Sequence, residues 1–372
     1  MNNYKFVAPC LMGIEGILSN ELKFMGAENV KADNGRVFFE GDSRILVKTN
    51  IRSRYAERIL LLLGSFTALS FEELFQQVKN IPWENFIEKD SQFPVKGNCL
   101  SSTLHSVPDC QSIIKKAVVE RLRENYQVDW FEETGALCQI QFLILKNNVS
   151  VMLDTSGEPL HKRGYRANSN SAPIKETLAA ALVELSRVRS NHIVIDPCCG
   201  SGTILIEAAQ KALNIAPNLH RKFISEQWKF IPKSVWKEER DIAGKCIKTD
   251  VNFHGHGYDI DEYALKIAEE NAVKAGVSQY ITFEQRDIAD FDENMSRATV
   301  ICNPPYGERL LDIKSAENIY KTMGNKFTQK QGWSYTIISP DDDFEKCFGR
   351  TADKRRKLYN GMIKCQVYMY FK

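Results

Sequence analysis

The chain lacks an apolar run long enough to cross a membrane, since such a helix needs about 20 consecutive apolar residues. Its longest candidate, Ile59–Gly64, is short and follows the charged stretch Arg52–Arg58. Residues 1–9 also lack the charged segment followed by an apolar one that marks a signal peptide. We therefore expect a cytoplasmic protein with no membrane partner.

Paired cysteine motifs are also missing, although the chain holds ten cysteines. No CxxC pair occurs, and the adjacent Cys198 and Cys199 are too close together to share a tetrahedral metal ion easily. Scattered cysteines in a protein without a secretion signal are usually reduced and buried. The sequence therefore predicts free thiols and no metal site.

A strong excess of one charge sign is absent as well. The net charge is +2, with acidic side chains slightly in excess over the first 160 residues and basic ones over the remainder. A nucleic-acid partner would therefore be bound by local patches. The length of 372 residues exceeds what one hydrophobic core usually supports, so we expect two or more domains.

What the sequence does contain is a regular alternation of strand and helix patterns from about Ser171 onward. Short apolar runs predict the strands, and residues at helical spacing follow them. The predicted strands are Ile193–Asp196, one ending at Gly257–Asp259, Ile281–Gln285, Thr299–Cys302 and Ser334–Ser339, and the predicted helices are Thr203–Leu213, Tyr263–Ala275 and Ser315–Thr328. This alternation is typical of an α/β fold, a doubly wound parallel sheet with helices on both faces.

The C-terminus departs from that alternation. Two strand patterns, Leu358–Tyr359 and Cys365–Phe371, flank Asn360-Gly361, which is a strong hairpin signal. A doubly wound sheet that ends in an antiparallel hairpin is the Rossmann-like plan of the class I methyltransferases, and dinucleotide-binding dehydrogenases lack that hairpin. A stretch at about 214–254 also interrupts the pattern, and we expect it to be a helical insertion.

The N-terminal 155 residues predict a separate α+β region. Phe71–Val78 and Pro108–Asn125 have the pattern of amphipathic helices, and a strand pair at 136–145 and 149–154 turns at Asn147-Asn148. We expect two small α+β units, at 1–66 and 67–160, followed by the α/β domain at 161–372.

The first chemically informative segment reads DPCCGSGT, from Asp196 to Thr203. Glycines that follow a strand and open a helix let the backbone approach a ligand, with free N–H groups facing it. A dinucleotide loop reads GxGxxG, but Leu205 stands at the third glycine position. This difference and the preceding Asp-Pro favour S-adenosyl-L-methionine as the cofactor. Its predicted binding residues in the loop are Asp196, Pro197, Cys198, Gly200, Gly202 and Thr203.

Two acids at strand ends complete the predicted cofactor site. Asp259 ends the second strand, where a carboxylate commonly binds ribose hydroxyls; its alternative role is that of a strand-end or capping acid. Asp287 follows the third strand, where an acid commonly takes the adenine amino group; its alternative is a solvated turn. Asp261 is assigned mainly to helix capping. Cys198 and Cys199 are interpreted as small loop fillers, because no activating base lies beside them in the sequence.

The second informative segment reads NPPY, from Asn303 to Tyr306. Amino groups on nucleic-acid bases are poor nucleophiles because the nitrogen lone pair is delocalised into the ring. The side-chain oxygen of Asn303 and the carbonyl of Pro304 can accept both amino hydrogens, and the prolines fix the loop. Tyr306 can stack on the base. The predicted catalytic residues are therefore Asn303, Pro304, Pro305 and Tyr306, with a plain strand-to-helix turn as the alternative.

These motifs, together with LHKRGYR at 160–166 and APIKETLAAAL at 172–182, resemble those of one bacterial family. Its members are ribosomal RNA guanine-N2 methyltransferases with an N-terminal THUMP domain, often labelled N6-adenine-specific DNA methylases. The similar segments include GYDID at 257–261, NPPYGERL at 303–310 and RKLYNG at 356–361. The order of elements at 71–156 is similar to a THUMP module, so the resemblance implies ferredoxin-like and THUMP units before the methyltransferase domain.

The resemblance also implies a substrate and an RNA partner. The expected reaction is methylation of a guanine amino group in large-subunit ribosomal RNA, which the THUMP domain would present. Candidate phosphate contacts are Lys96, His105, Lys115, Lys116, Lys162–Arg166 and Lys354–Lys357, each with a solvated charge or turn as its alternative.

Three other functions stay open at this point. An N6-adenine methyltransferase acting on DNA or RNA would use the same loop, because that loop serves either amine. A non-catalytic RNA-binding module is disfavoured by the intact NPPY segment, and a dehydrogenase by Leu205 and the C-terminal hairpin. The sequence does not determine the oligomeric state.

Overall fold

A computed structural model of the chain describes residues 3–166, 174–292, 294–306, 313–328, 330–361 and 363–371. The strands are β1 (Tyr4–Pro9), β2 (Glu28–Asp33), β3 (Arg36–Gly41), β4 (Leu60–Thr67), β5 (Val95–Leu100), β6 (Ile140–Leu145), β7 (Asn148–Asp154), β8 (Ile193–Asp196), β9 (His254–Asp259), β10 (Ile281–Gln285), β11 (Ala298–Cys302), β12 (Trp333–Ser339), β13 (Lys354–Asn360) and β14 (Ile363–Tyr370). The helices are α1 (Glu15–Phe24), α2 (Ser43–Arg52), α3 (Phe71–Lys79), α4 (Val107–Tyr126), α5 (Glu176–Leu185), α6 (Thr203–Ala212), α7 (Lys233–Lys245), α8 (Glu262–Lys274), α9 (Ile313–Lys326) and α10 (Phe344–Phe348). Among these helices, none combines the length and apolar character that a bilayer span requires.

The N-terminal half forms one continuous sheet, in the order β2-β3-β1-β4-β7-β6-β5. Its first six elements follow the βαββαβ order of a ferredoxin-like unit. β4 crosses the predicted boundary at residue 66 and pairs with β1 on one side and β7 on the other. The two N-terminal units therefore share a hydrogen-bonded sheet, and their division at about residue 66 remains a prediction.

The hairpin between β6 and β7 turns one residue earlier than the sequence predicts. Leu145 pairs with Asn148, so the two turn residues are Lys146 and Asn147, with φ of +51° and +65°. A two-residue turn of this kind needs positive φ at both positions. The prediction of Asn147-Asn148 was wrong because the pairing register, and not the preference of asparagine for positive φ, decides where the turn lies.

The second sheet confirms the class I methyltransferase plan. Its order is β10-β9-β8-β11-β12-β14-β13, with parallel pairing from β10 to β12 and an antiparallel hairpin at the end. Asp261 caps α8, as predicted, by accepting the Tyr263 N–H at 2.9 Å. The carboxyl ends of β8, β9, β10 and β11 meet at one edge, where open α/β sheets bind ligands. The run Lys354–Lys357 lies in the edge strand β13, so its interpretation as a turn was wrong.

The insertion at 214–254 contains α7, which packs against α2 of the N-terminal half. The buried carboxylate of Glu239 accepts from Arg44 at 2.8 Å and lies 3.7 Å from Arg52. Asn218 donates from its amide to the carbonyl of Asn50 at 3.1 Å. The insertion is helical, as predicted, and these contacts make it a brace between the two halves.

A buried arginine in the segment after β7 joins the halves at a second place. Arg163 donates to the carbonyls of Leu160 and Arg54, each at 2.6 Å. Its Nε lies 3.6 Å from the carboxylate of Glu207 on α6, and both side chains are 0% exposed. Arg163 therefore has a structural role at the joint, the contact between the N-terminal half and the methyltransferase domain.

These contacts correct part of the predicted set of phosphate contacts. Arg163 is buried, and Lys115 donates to Glu133 at 2.6 Å while its Nζ lies 3.4 Å from the ring centroid of Phe93. Arg163 is enclosed, so its prediction as a phosphate contact was wrong. The side chain of Lys115 is 33% exposed, so its prediction stays untested although it is paired with Glu133. Lys96, His105 and Lys116 are exposed on the surface, and for them the prediction stands untested.

Glu21 of α1 lies beside this joint with its carboxylate enclosed. It accepts from the Ser53 hydroxyl at 2.6 Å and from the Arg54 N–H at 2.8 Å. Burial raises the pKa of Glu21 to about 7, although these hydrogen bonds and the charges of Arg54 and Arg163 lower it. An acid whose pKa rises on folding stabilises the fold below its unfolded pKa, and this contribution is lost as the pH rises through the folded value.

We expect Glu21→Gln to become more stable relative to the wild type as the pH rises from about 5 to about 8, because glutamine cannot ionise. Melting temperatures measured at both pH values check this. Glu28→Gln, on the exposed strand β2, serves as the control and should show no such trend. A difference between Glu21→Gln and wild type that does not change with pH would contradict the raised pKa.

Candidate active site

The glycine loop joins β8 to α6 at the edge where the parallel strands end. Gly202 has φ +76° and precedes Thr203, the first residue of α6, while Gly200 has φ +50°. A Cβ on Gly202 would lie 3.0 Å from the Cβ of Ala268 and 3.1 Å from the ring of Phe283. Glycine is therefore required at 202 by the left-handed backbone and by the close approach of α8 and β10.

Asp259 holds this loop in place from the end of β9. One carboxylate oxygen accepts the N–H of Gly200 at 2.8 Å, and the other accepts the N–H of Asp261 at 3.0 Å. A carboxylate oxygen can accept a second hydrogen bond, so Asp259 keeps capacity for ligand hydroxyls. The structure places it beside the glycine loop and gives it the strand-end role that was its alternative.

Asp196 is buried at the end of β8, and Pro197 after it is buried as well. The Asp196 carboxylate accepts the N–H of Cys198 at 3.2 Å. Burial raises the pKa of Asp196 well above its usual range, and the nearby charge of Asp259 raises it further. Asp196 therefore supports the loop from within the protein and offers no exposed charge.

Thr203 is bound by a residue that sequence reasoning did not assign to this site. Arg166 donates to the Thr203 hydroxyl at 2.7 Å and to the Ile174 carbonyl at 2.8 Å. Its Nε lies 3.7 Å from Glu176 of α5. The LHKRGYR segment, which ends with this arginine, was the available signal, but the fold is what brings it to the start of α6.

A cavity of about 500 Å³ opens beside these groups, at the carboxyl ends of β9 and β10. It is lined by Ile260, Glu284, Gln285, Arg286, Asp287 and Asp290. The exposed carboxylate of Asp287 also caps the following turn by accepting the Ala289 N–H at 2.8 Å. Ile260 is 67% exposed; sequence reasoning missed it, although its position directly after a strand-end acid was a usable signal.

These residues fit the nucleoside part of S-adenosylmethionine. Ligand sites combine apolar surface with a few placed polar groups, and here Ile260 and Asp287 both line the cavity, with Asp259 directly before Ile260 in the chain. The apolar side chain suits a flat ring, and the carboxylates suit ribose hydroxyls and an amino group. Of the predicted cofactor residues, Asp287 lines this cavity, and Asp259 and the glycine loop that it holds lie next to it in the sheet.

Asn303 lies directly after β11, which is the neighbour of β8 in the sheet. Its side-chain Oδ1 is buried and has no hydrogen-bond partner among the described residues. A buried acceptor left unpaired costs about 1–3 kcal/mol, so a donor from a bound molecule would relieve that cost. Pro304 is buried and Pro305 half-buried, which is consistent with a fixed loop.

The thiols around the site are poor nucleophiles. Burial raises the pKa of Cys199 and Cys302 well above the usual range for a thiol, and the carboxylates of Asp196 and Asp259 raise both further. The thiolate is the reactive form of cysteine. This supports the interpretation of the loop cysteines as space-filling residues.

Tyr306 is attached to the C-terminal hairpin. Asn360 donates from its amide to the Tyr306 hydroxyl at 2.8 Å, and the sulfur of Cys365 lies 3.9 Å from the same oxygen. Burial raises the pKa of Tyr306 above its usual range, so the phenol stays protonated. The ring is half-buried, and its stacking on a base remains a prediction. The rest of the NPPYGERL segment, 307–310, lies outside the described residues.

Comparison with protein families covers most of the chain. Residues 163–369 match the RMKL-like methyltransferase domain, residues 5–60 match the RlmL ferredoxin-like domain, and residues 68–154 match the THUMP domain.

Named relatives and a solved structure are similar to the whole chain. A Bacillus subtilis (strain 168) protein named "Putative RNA methyltransferase YpsC" is 44% identical over 100% of this chain and 97% of its own length. A Psychromonas ingrahamii protein named ribosomal RNA large subunit methyltransferase K/L is 33% identical over 98% of this chain but 50% of its own length, so the chain spans half of that relative. The structure of SMU.472, a methyltransferase complexed with SAH, is 39% identical, with a TM-score of 0.95 over 100% of this chain and 98% of that one.

The site and these comparisons agree on the kind of protein. The fold ends in the methyltransferase hairpin, the cavity fits a nucleoside beside the glycine loop, and the family match covers more than half of the chain. The chain therefore belongs to the RMKL-like methyltransferases, a family that depends on S-adenosylmethionine, and it carries RlmL ferredoxin-like and THUMP domains before the methyltransferase domain.

Proposed function

We propose that this protein transfers a methyl group to the exocyclic N2 amine of a guanosine in large-subunit ribosomal RNA. The observation that carries the proposal is the buried, unpaired Oδ1 of Asn303 beside the cofactor loop. An RNA substrate is supported by the THUMP match at 68–154 and by the printed names of the relatives. Large-subunit ribosomal RNA is supported by the name of the K/L relatives.

The task of the catalytic loop is to make an aromatic amine nucleophilic. The Asn303 oxygen can accept one amino hydrogen, and the Pro304 carbonyl can accept the other. With both hydrogens held, the nitrogen becomes more pyramidal and its lone pair is directed away from the ring. The proposal is supported by the position of Asn303 directly after β11, the neighbour of β8, which carries the glycine loop.

The remaining residues align the two reactants. S-adenosylmethionine, when bound, supplies an electrophilic methyl group on its sulfonium. The backbone of Gly200 and Gly202, the carboxylates of Asp259 and Asp287 and the side chain of Ile260 would hold it. Alignment of two bound reactants accounts for a large part of such a rate enhancement, and the proposed reaction requires no metal ion.

We expect Asn303→Ala to lower kcat about 100- to 1,000-fold, or by about 2.7–4 kcal/mol, as removal of one preorganised hydrogen-bonding group does elsewhere. Asn303→Asp keeps acceptor oxygens and should retain more turnover than Asn303→Ala. Transfer of labelled methyl from S-adenosylmethionine to unmodified ribosomal RNA measures both variants. Affinity for S-adenosylhomocysteine should be unchanged, which separates the grip on the base from cofactor binding. Full turnover in Asn303→Ala would contradict the role of this residue.

Digestion of the labelled RNA to nucleosides identifies the base. Label in N2-methylguanosine supports the proposed target. Label in N6-methyladenosine would identify adenosine as the target in place of guanosine. The proposed role of Asn303 would stand, because its oxygen can accept a hydrogen bond from the amino group of either base. Methylation of duplex DNA in preference to ribosomal RNA would refute the proposed RNA substrate.

We expect Asp287→Ala to weaken S-adenosylhomocysteine binding about tenfold or more, because hydrogen bonds to a charged group contribute about 1.5–3 kcal/mol. Calorimetric titration measures this without any turnover. Asp290→Ala, which removes an acid from the same cavity at the end of the following turn, is the matched control and should bind as the wild type does. Equal losses in the two variants would show that general charge, and not the position of Asp287, matters.

A further inference from the structure

We propose that the edge of the catalytic sheet carries a phosphate-binding stripe, formed by Lys354, Arg356, Lys357 and Lys364, which holds the RNA backbone beside the catalytic loop. This inference rests on the proposed RNA substrate. It adds the protein surface along which the RNA segment that contains the target nucleotide would lie.

The stripe is defined by cations without an acidic partner, one of which, Lys357, has its Nζ 5.7 Å from the ring centroid of Tyr359. Arg355, in the middle of the run, is paired with Glu345 of α10 at 2.6 Å. The four stripe residues form no ion pair within the part of the chain that the structure describes. Three of them are exposed, and Arg356 is half-buried. Cations without acidic partners, grouped on one hairpin, are the electrostatic footprint expected for a phosphate backbone.

The strand that carries the stripe ends at the catalytic loop. Asn360, the last residue of β13, donates to the Tyr306 hydroxyl at 2.8 Å. Tyr359 pairs with Lys364 across the hairpin, so that cation lies next to this contact. At about 3.3 Å per residue in a strand, Lys357 lies about 10 Å and Lys354 about 20 Å from Asn360. Phosphates of the nucleotides next to a base held at the loop would lie along this path.

Two of the cations share the hairpin face that the loop contacts. Side chains alternate along a strand, so Lys354 and Arg356 lie on the same face as Leu358. Leu358 is buried and pairs with Cys365, whose sulfur is 3.9 Å from the hydroxyl of Tyr306. Lys354, Arg356 and the catalytic loop are therefore on one side of the sheet, and Lys357 and Lys364, at the alternating positions, are on the other.

Lysines on an edge strand often serve only to prevent pairing with another sheet. Here the N-terminal half already covers part of that edge. Gly13 has φ +96°, and a Cβ on it would lie 2.4 Å from the carbonyl oxygen of Lys357. Because the loop after β1 blocks the strand at this point, the cation there is not needed for protection. The same contact joins the N-terminal half to the stripe, so RNA bound by that half could continue along it.

The test compares Arg356→Gln/Lys357→Gln with Lys266→Gln/Lys274→Gln, which removes the same charge from α8 at the opposite end of the sheet. Binding of polyuridylate and of an unmodified ribosomal RNA fragment is measured by fluorescence anisotropy over a range of salt concentrations. The stripe variant should bind both RNAs more weakly, and the slope of log Kd against log salt should fall by about 1.4, or about 0.7 for each single-strand phosphate contact. The α8 variant should keep the wild-type affinity and slope.

Melting temperature and S-adenosylhomocysteine affinity establish that the stripe variant is folded. If it is not, Lys354→Gln and Lys364→Gln are measured singly, each with an expected slope change of about 0.7. A wild-type slope in the stripe variants, or an equal loss in the α8 variant, would overturn the stripe. A preference for duplex DNA with the same salt response would overturn its assignment to RNA.

Polyuridylate contains no guanine, so its binding tests the stripe independently of the proposed target. Weaker polyuridylate binding by the stripe variant supports the stripe even when the wild type forms no N2-methylguanosine. Unchanged binding refutes the stripe even when the wild type methylates guanosine.

Discussion

The buried guanidinium of Arg163 is the contact on which the arrangement of the molecule depends. Its acceptors are carbonyls of Arg54 and Leu160, and the carboxylate of Glu207 lies close by on the helix after the glycine loop. A buried charge that loses its partners costs about 3–5 kcal/mol, so these segments keep their positions together. The N-terminal half is thereby fixed relative to the glycine loop, and the brace formed by the 214–254 insertion supports the same geometry.

The candidate active site differs from the joint between the halves, because one of its buried polar atoms has no partner among the described residues. Asp259 holds the glycine loop by a hydrogen bond from the end of β9, and Arg166 holds the start of α6 from the segment between β7 and α5. These contacts position the loop without a ligand. At the catalytic loop, the buried oxygen of Asn303 has no partner among the described residues. In the proposed reaction, the amine of the base completes the hydrogen bonding that the protein leaves open at this oxygen.

The C-terminal hairpin contacts the proposed catalytic loop. Through Asn360 and Cys365 it holds Tyr306, the last residue of the NPPY segment. The same hairpin presents cations without acidic partners in the described chain, and it touches the N-terminal half at Gly13. An antiparallel hairpin at the end of the sheet therefore does more than distinguish this fold from a dehydrogenase. It places the proposed phosphate stripe at a fixed distance from Asn303.

The sequence by itself determined the features that depend on short segments. Apolar runs and glycine positions predicted the catalytic strands, and the alternation with its final Asn-Gly hairpin predicted the methyltransferase plan, because secondary structure and turns depend on neighbouring residues. Positions at the ends of predicted strands likewise predicted Asp259 and Asp287 as site residues, and the NPPY motif predicted Asn303; the fold brings all three to one edge of the sheet. Only the tertiary structure decided that Arg163 is internal, that Lys115 is paired with Glu133, that Arg166 reaches Thr203, and that β4 joins the two N-terminal units. These features depend on contacts between residues far apart in the chain, and the charge of an arginine or lysine does not reveal whether its partner is a carbonyl inside the protein or a phosphate outside it.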